Sequence, residues 1–284
     1  GAGTKWYLNP KNYSDEVVFG ELTKVKMEDT IAGPLLGVEG TMQEVMSTAQ
    51  RFNWEIGFGE KIDLTFQDMH DEMATTFREG LPPLLDQTHA GQVVPLEDAE
   101  KIIDLVRGDI LLNSCICRKY YGGKEVMSCM YFNPVADGME KNIPWYVGKR
   151  ISKEEAKELL REFDKKGIFH GAYWLPIPVV GCICNCEYPY CIALRARLHY
   201  DITDTYRKGE YVALVDANIC NGCSGSPSCI SKCGFGALRY SPTQGKVIVN
   251  QLNCWGCGVC RQTCSGKAIN LIPREEIPQL KDEW

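Results

Sequence analysis

The 284-residue chain lacks any apolar run of the ~18 residues that a bilayer-crossing helix needs, so no membrane span is expected. It also lacks an excess of positive charge: 31 Lys and Arg stand against 37 Asp and Glu, a net charge of −6. That balance argues against nucleic acid, whose binding is driven by cations neutralising phosphates, and fits docking to a partner with a basic patch. The first residues, Gly1-Ala2-Gly3 set aside, show no basic stretch followed by an apolar one, so no secretory signal is expected and a cytoplasmic location is inferred. Histidine is scarce. His70, His89, His170 and His199 form no pair at ligand spacing and read as structural, with His170 and His199 flanking a cysteine group. There is no phosphate-binding loop, no dinucleotide fingerprint and no haem-attachment motif, and Gly33, Gly37 and Gly40 read as turns. No nucleotide or flavin site is expected.

What the chain has in abundance is cysteine, 15 in all, with none before residue 115. An odd number cannot pair completely within one chain. Most of these cysteines sit two to four residues apart, too close for disulfide geometry between neighbours but well suited to thiolates converging on metal.

The hydrophobic share of 44% is enough for a real core, and the length fits one large domain or two ordinary ones. Apolar spacing predicts helices over 41–56, 64–77 and 95–106. Ile110-Leu111-Leu112 reads as a strand leading into Cys115. Ser152 with Glu155 forms a capping box, so a helix should run to about Lys166 and stop at Gly167. Residues 168–183 read as one or two strands with a kink, and 192–199 as a helix. Residues 200–211 read as a linker. The aromatics mixed with Arg197, Arg207 and Lys208 around 195–211 read as either a docking surface or a linker packed against the C-terminal domain. The fold expected is α+β, a mainly helical or mixed N-terminal domain (1–205) followed by a bacterial two-cluster ferredoxin-like domain (206–272) and a surface tail (273–284).

The C-terminal domain is an internal repeat. Val212–Val215, Cys220 and Ala237-Leu238 recur as Val247–Val249, Cys254 and Ala268-Ile269. Each copy should be a strand, a cysteine-bearing loop, a helical turn and a return strand, and the two copies should pack on each other. The second copy reads Cys254-x2-Cys257-x2-Cys260-x3-Cys264. The first reads Cys220-x2-Cys223-x5-Cys229-x3-Cys233, with three extra residues in its loop. In two-cluster ferredoxins the fourth cysteine of such a run serves the other cluster. The expectation is therefore two 4Fe-4S clusters, one on Cys220, Cys223, Cys229 and Cys264 and the other on Cys254, Cys257, Cys260 and Cys233. Gly222, Gly256 and Gly258 would let the backbone wrap closely. Gly234 and Ser265 stand where proline usually follows the fourth cysteine. The competing reading is a pair of zinc sites, which also use cysteine pairs.

Seven cysteines remain: Cys115, Cys117, Cys129, Cys182, Cys184, Cys186 and Cys191. In strands, alternate side chains share a face, so Cys115 with Cys117, and Cys182 with Cys184 and Cys186, can each address one metal. At least one additional 4Fe-4S cluster is expected from a subset of them; buried structural thiols and a zinc ion are the alternatives. Arg118 reads as a counter-charge for a cluster, an anion site or an ordinary salt-bridged arginine.

The Cys115-Ile116-Cys117-Arg118 motif, the Ser152–Ala156 helix opening, the Ile183–Cys186 segment and the C-terminal cysteine repeat come in an order that resembles a family of large 4Fe-4S binding proteins of anaerobes. The likeness covers roughly residues 95–272. It departs where Glu187–Cys191 replaces a denser cysteine run. The expected clusters, forming a relay, point to an electron carrier, or an electron-transfer subunit of an anaerobic redox complex with redox protein partners. The alternatives are a reductase with its catalytic metal in the N-terminal cysteine site, and a redox or metal sensor.

Overall fold

The computed structural model describes residues 5–14, 17, 91–115, 117–118, 125–142, 148–174, 179–198 and 206–283. The helices expected over 41–56 and 64–77 lie outside them, as do His70, His89 and His199.

A six-stranded antiparallel sheet organises the N-terminal part. Its strands are β1 (Gly91–Val94), β2 (Ile110–Ser114), β3 (Met127–Tyr131), β4 (Lys149–Ile151), β5 (Phe169–Trp174) and β6 (Val180–Cys186), in the order β1-β5-β6-β3-β2-β4. Strand alternation divides the residues between two faces. One face presents Val94, Leu112, Met130, Ala172 and Ile183 to helices α1 (Leu96–Leu105) and α3 (Lys153–Lys166). Helical spacing brings Ala99, Ile102 and Ile103 of α1, and Ala156, Leu160 and Phe163 of α3, onto it. Each large apolar side chain buried there contributes roughly 1.5–3 kcal/mol. Tyr7 and Tyr13 of the N-terminal segment close the same core. Helix α2 (Val135–Asn142) follows β3, and α4 (Ile192–Leu198) follows β6.

The capping box is formed as expected. Ser152 Oγ accepts from the Glu155 N–H at 3.2 Å, and Glu155 Oε2 accepts from the Ser152 N–H at 2.8 Å. Gly167, at φ 88°, ends the helix in the left-handed region that glycine enters without penalty.

The C-terminal repeat folds as β7 (Tyr211–Val215), α5 (Ser228–Ser231) and β8 (Leu238–Ser241), then β9 (Lys246–Val249), α6 (Val259–Gln262) and β10 (Ile269–Pro273). β10 pairs antiparallel with β7, so the last strand of the second copy binds the first strand of the first copy. β8 and β9 pair across the junction between copies. The two copies are thus interlocked around a shared core. Residues 273–284, expected as a surface tail, bury Arg274 and Leu280. Arg274 Nε donates to the Gly209 carbonyl at 3.0 Å, and its Nη2 donates to the carbonyls of Tyr211 and Cys254 at 3.1 and 2.8 Å. A cation at that point satisfies several inward-facing carbonyls at once.

The repeat docks on the N-terminal part through polar contacts. Buried Asp98 of α1 accepts from Tyr7 Oη at 3.1 Å and Tyr211 Oη at 3.0 Å. Arg261 grips Glu97 with two parallel bonds of 3.0 and 2.6 Å. These contacts leave the second sheet face, opposite α1 and α3, turned toward the repeat.

Candidate metal centres

Two hollows open inside the C-terminal repeat, and each is lined by four cysteines. The first is lined by Cys220, Cys223, Cys229 and Cys264. The second is lined by Cys233, Cys254, Cys257 and Cys260. Each set takes three thiols from one copy and the fourth from the other, because the helical turn after the third cysteine directs the fourth across the interlocked pair. The thiols ring an open space instead of meeting at a point; among the described residues no group of three His, Cys, Asp or Glu converges closely enough to hold a single ion.

The backbone around the hollows has matching halves. The Ala237 N–H donates to Cys233 Sγ, and the Ala268 N–H to Cys264 Sγ, both at 3.3 Å. The preceding residues, Gly236 at φ 63° and Lys267 at φ 51°, both turn left-handed to aim those amides. The Ala213 N–H donates to Cys254 Sγ at 3.3 Å and the Val247 N–H to Cys220 Sγ at 3.5 Å. Gly222 and Gly256 occupy equivalent turns at φ 63° and 72°. A methyl group at Gly222 would overlap the Gly245 carbonyl oxygen, and one at Gly256 the Tyr211 carbonyl oxygen. The extra loop residues are accommodated by Cys223 and Ser224, both with positive φ. Cys223 is the exposed thiol of its set, whereas Cys254 and Cys260 are buried.

Burial, and then the neighbouring cysteines, push Cys229 up to about 11 and Cys260 up to about 12. Burial also raises Cys254 and Cys257. Cys254, Cys257 and Cys260 become thiolates together in this buried hollow only where a positive group sits among them. The donor set, the room and the amides aimed at sulfur all fit an iron–sulfur cube.

The seven other cysteines meet on the second face of the large sheet. Cys129 on β3 stands directly opposite Cys184 on β6. Cys182 Sγ lies 3.9 Å from Cys184 Sγ. The thiols act on one another electrostatically as a chain: Cys115 with Cys117 and Cys129, Cys129 with Cys184, Cys184 with Cys186, and Cys186 with Cys191. The influence of Cys117 and Cys129, with the backbone and charge of Arg118, pulls Cys115 strongly toward thiolate. The influence of Cys115 and Cys184, together with burial, pushes the Cys129 thiol the other way. The expected same-face triplet of Cys182, Cys184 and Cys186 is present on β6. Cys115 and Cys117 differ from expectation: β2 ends at Ser114 and Cys117 is helical, so strand alternation does not bring them together.

Arg118 is buried beside this group, with Nη1 donating to Ser128 Oγ at 2.7 Å and Nε to Glu187 Oε2 at 3.2 Å. Its Nη2 has no hydrogen-bond partner among the described residues, and, against burial, the Cys115 and Cys186 charges do most to hold its proton. An orphaned guanidinium N–H beside thiols is the donor that an anionic cluster would satisfy. His170, by contrast, faces the helices, its Nδ1–H donating to Asn185 Oδ1 at 2.7 Å; burial lowers its pKa to about 4. It is structural. Tyr206, among the aromatics noted around 195–211, and Trp255, which the sequence reading passed over, are fully or nearly fully buried between the thiol face and the repeat. The local signal for Trp255 was the cysteine on either side of the Trp255-Gly256 pair.

No family model matches the chain. A segment of 86 residues, 30% of the chain, is 33% identical to the indolepyruvate oxidoreductase subunit IorA of Pyrococcus abyssi (strain GE5 / Orsay). It is 30% identical over 86 residues to the subunit of the same name from Pyrococcus horikoshii (strain ATCC 700860 / DSM 12428 / JCM 9974 / NBRC 100139 / OT-3). The chain spans about 13% of the length of these curated relatives, so the likeness is to a short part of each.

Proposed function

We propose that this chain is an iron–sulfur electron-transfer protein, or the electron-transfer subunit of an oxidoreductase. It would carry two 4Fe-4S clusters in the C-terminal ferredoxin-like repeat and one more on the N-terminal thiol face. The observation that carries the reading is the pair of hollows, each ringed by four cysteines drawn three from one copy and one from the other. Cys220, Cys223, Cys229 and Cys264 would hold one cluster; Cys233, Cys254, Cys257 and Cys260 the second. For the third, the ligands are drawn from Cys115, Cys117, Cys129, Cys182, Cys184, Cys186 and Cys191, with Cys115, Cys129 and Cys184 at the centre of the contact network. Bound in these places, such clusters supply one-electron oxidation–reduction chemistry without bond rearrangement.

The chain's own groups do the rest. The amides of Ala213, Ala237, Val247 and Ala268 stabilise negative sulfur, and Arg118 offers a counter-charge. Exposed Cys223 marks the side where a redox partner can approach, and buried Cys254 and Cys260 lie on the inward side. The short likeness to an oxidoreductase subunit supports a partner protein. The test is iron and sulfide quantitation under strict exclusion of oxygen, on wild type and on a Cys115→Ser, Cys184→Ser double variant. The reading predicts about twelve irons falling to about eight, at four per cube. About eight in both would remove the N-terminal cluster from the proposal.

A further inference from the structure

We propose that Trp255 is the electron bridge between the N-terminal thiol face and the hollow of Cys233, Cys254, Cys257 and Cys260, with Tyr206 and Phe235 completing the path. This rests on the reading that both places hold clusters. Trp255 directly follows Cys254 and is separated from Cys257 by one residue, and its side chain is 4% exposed. It lines that hollow, as does Phe235.

Two rings lie against it. Phe235 stacks at 4.9 Å between centroids, 10° from parallel, and Tyr206 at 6.1 Å and 23°. Both lead to the thiol face. Tyr206 lies over Gly171, where a methyl group would collide with Tyr206 Oη, and Gly171 pairs with Cys184 in the sheet. Tyr206 also packs on Tyr173 at 5.2 Å, whose Oη is 3.6 Å from Cys191 Sγ. The second branch runs from Phe235 to Phe169 at 5.1 Å, and Phe169 pairs with Cys186. Two aromatic branches thus leave the thiols and converge on one indole. Aliphatic side chains would fill this seam equally well for packing, and packing alone would not demand a glycine at 171 to clear the tyrosine.

Arg197 fixes the junction. Its guanidinium sits 4.9 Å over the Trp255 ring, and its Nη1 donates to the Tyr206 carbonyl. A cation on the ring face binds the π electrons more tightly, so the indole is hard to oxidise. Trp255 accordingly conducts as a tunnelling medium and is not itself converted to a radical. One electron leaves the reduced centre on one side and arrives at the oxidised centre on the other; no bond forms or breaks and no proton moves.

The test uses the full chain, cluster-loaded and anaerobic, with a flash-generated soluble one-electron donor that reduces the accessible centre. Absorbance then tracks internal re-equilibration. Trp255→Leu should slow that internal phase by about tenfold or more, equivalent to about 1.4 kcal/mol on an activation scale, while Trp255→Phe stays near wild type. Iron content and the EPR signals of each centre should not change. If Trp255→Leu does not load, Tyr206→Leu with Phe235→Leu removes both stacking partners and should show the same slowing. An unchanged internal rate in a fully loaded variant overturns the bridge and leaves the clusters standing. A wild-type count of about eight irons at four per cube overturns both the bridge and the third cluster. The two failures are therefore separate.

Discussion

Serine in place of Cys233 interrogates the interlocking of the two repeats. Cys233 belongs in sequence to the first copy, yet it lines the hollow of Cys254, Cys257 and Cys260 and, after burial, helps hold their protons on more tightly. Its sulfur also receives the Ala237 N–H at 3.3 Å, so the variant loses a ligand and an oriented acceptor together. If each hollow holds one cube of four irons, Cys233→Ser takes the chain from about twelve irons to about eight. Cys254→Ser should do the same. The double variant is the decisive one. Because both residues serve one hollow, Cys233→Ser with Cys254→Ser should still hold about eight irons, whereas Cys264→Ser with Cys254→Ser should hold about four. Anaerobic iron and sulfide assays, with EPR of the reduced protein, read these values directly. The reverse pattern, about four irons for the first pair and about eight for the second, would mean that each copy binds its own cluster, and the crossing would be refuted.

Single groups carry the other expectations. Lys267 adopts the left-handed turn that Gly236 adopts in the first copy, so Lys267→Gly should stabilise the chain by up to about 1 kcal/mol, read by chemical denaturation; a loss of stability would show that the lysine side chain matters more than its backbone. Arg118→Gln should move the potential of the N-terminal centre downward in a potentiometric EPR titration, because a nearby cation favours the reduced state; an upward or absent shift would dismiss Arg118 as counter-charge. His170 and Asp164 give opposite pH dependences. The folded His170, at about 4 against an ordinary 6.5, takes up its proton late, so stability is lost as pH falls from about 6.5 to 4, by about 3 kcal/mol. Asp164, raised by burial from 3.8 to about 6, loses stability as pH rises through that interval, by a similar amount. The two slopes offset each other between about 4 and 6. Asp164→Asn should expose the histidine slope, with urea midpoints that fall more steeply toward pH 4 than in wild type; equal slopes would contradict the assignment.

What could be read in the sequence was local or repeated. Ser152 and Glu155 carry their own capping geometry within four positions, and Gly167 marks the stop without reference to the rest of the chain. The two cysteine runs announce a repeat, and the copies pair as a repeat must when neither buries its own face. Cys182, Cys184 and Cys186 share a face because strand alternation requires it. The parts that were not legible depend on distant partners. β2 ends at Ser114, before Cys115 and Cys117, and no pattern in four residues places that end. Arg274 read as part of a surface tail, but the carbonyls of Gly209, Tyr211 and Cys254 make its burial favourable. Tyr206 and Trp255 are 49 positions apart by their numbering and meet only because the repeat docks on the second sheet face. Of the described residues around 195–211, Arg197 sits on the Trp255 ring and Tyr206 stacks beside it.

X-ray absorption at the iron and zinc edges of the protein purified without oxygen tests the central claim most directly. The account predicts iron surrounded by sulfur with a short iron–iron scattering shell, the mark of sulfide-bridged cubes. A folded chain whose metal is zinc with a sulfur shell alone, or which carries no metal at all, would contradict it.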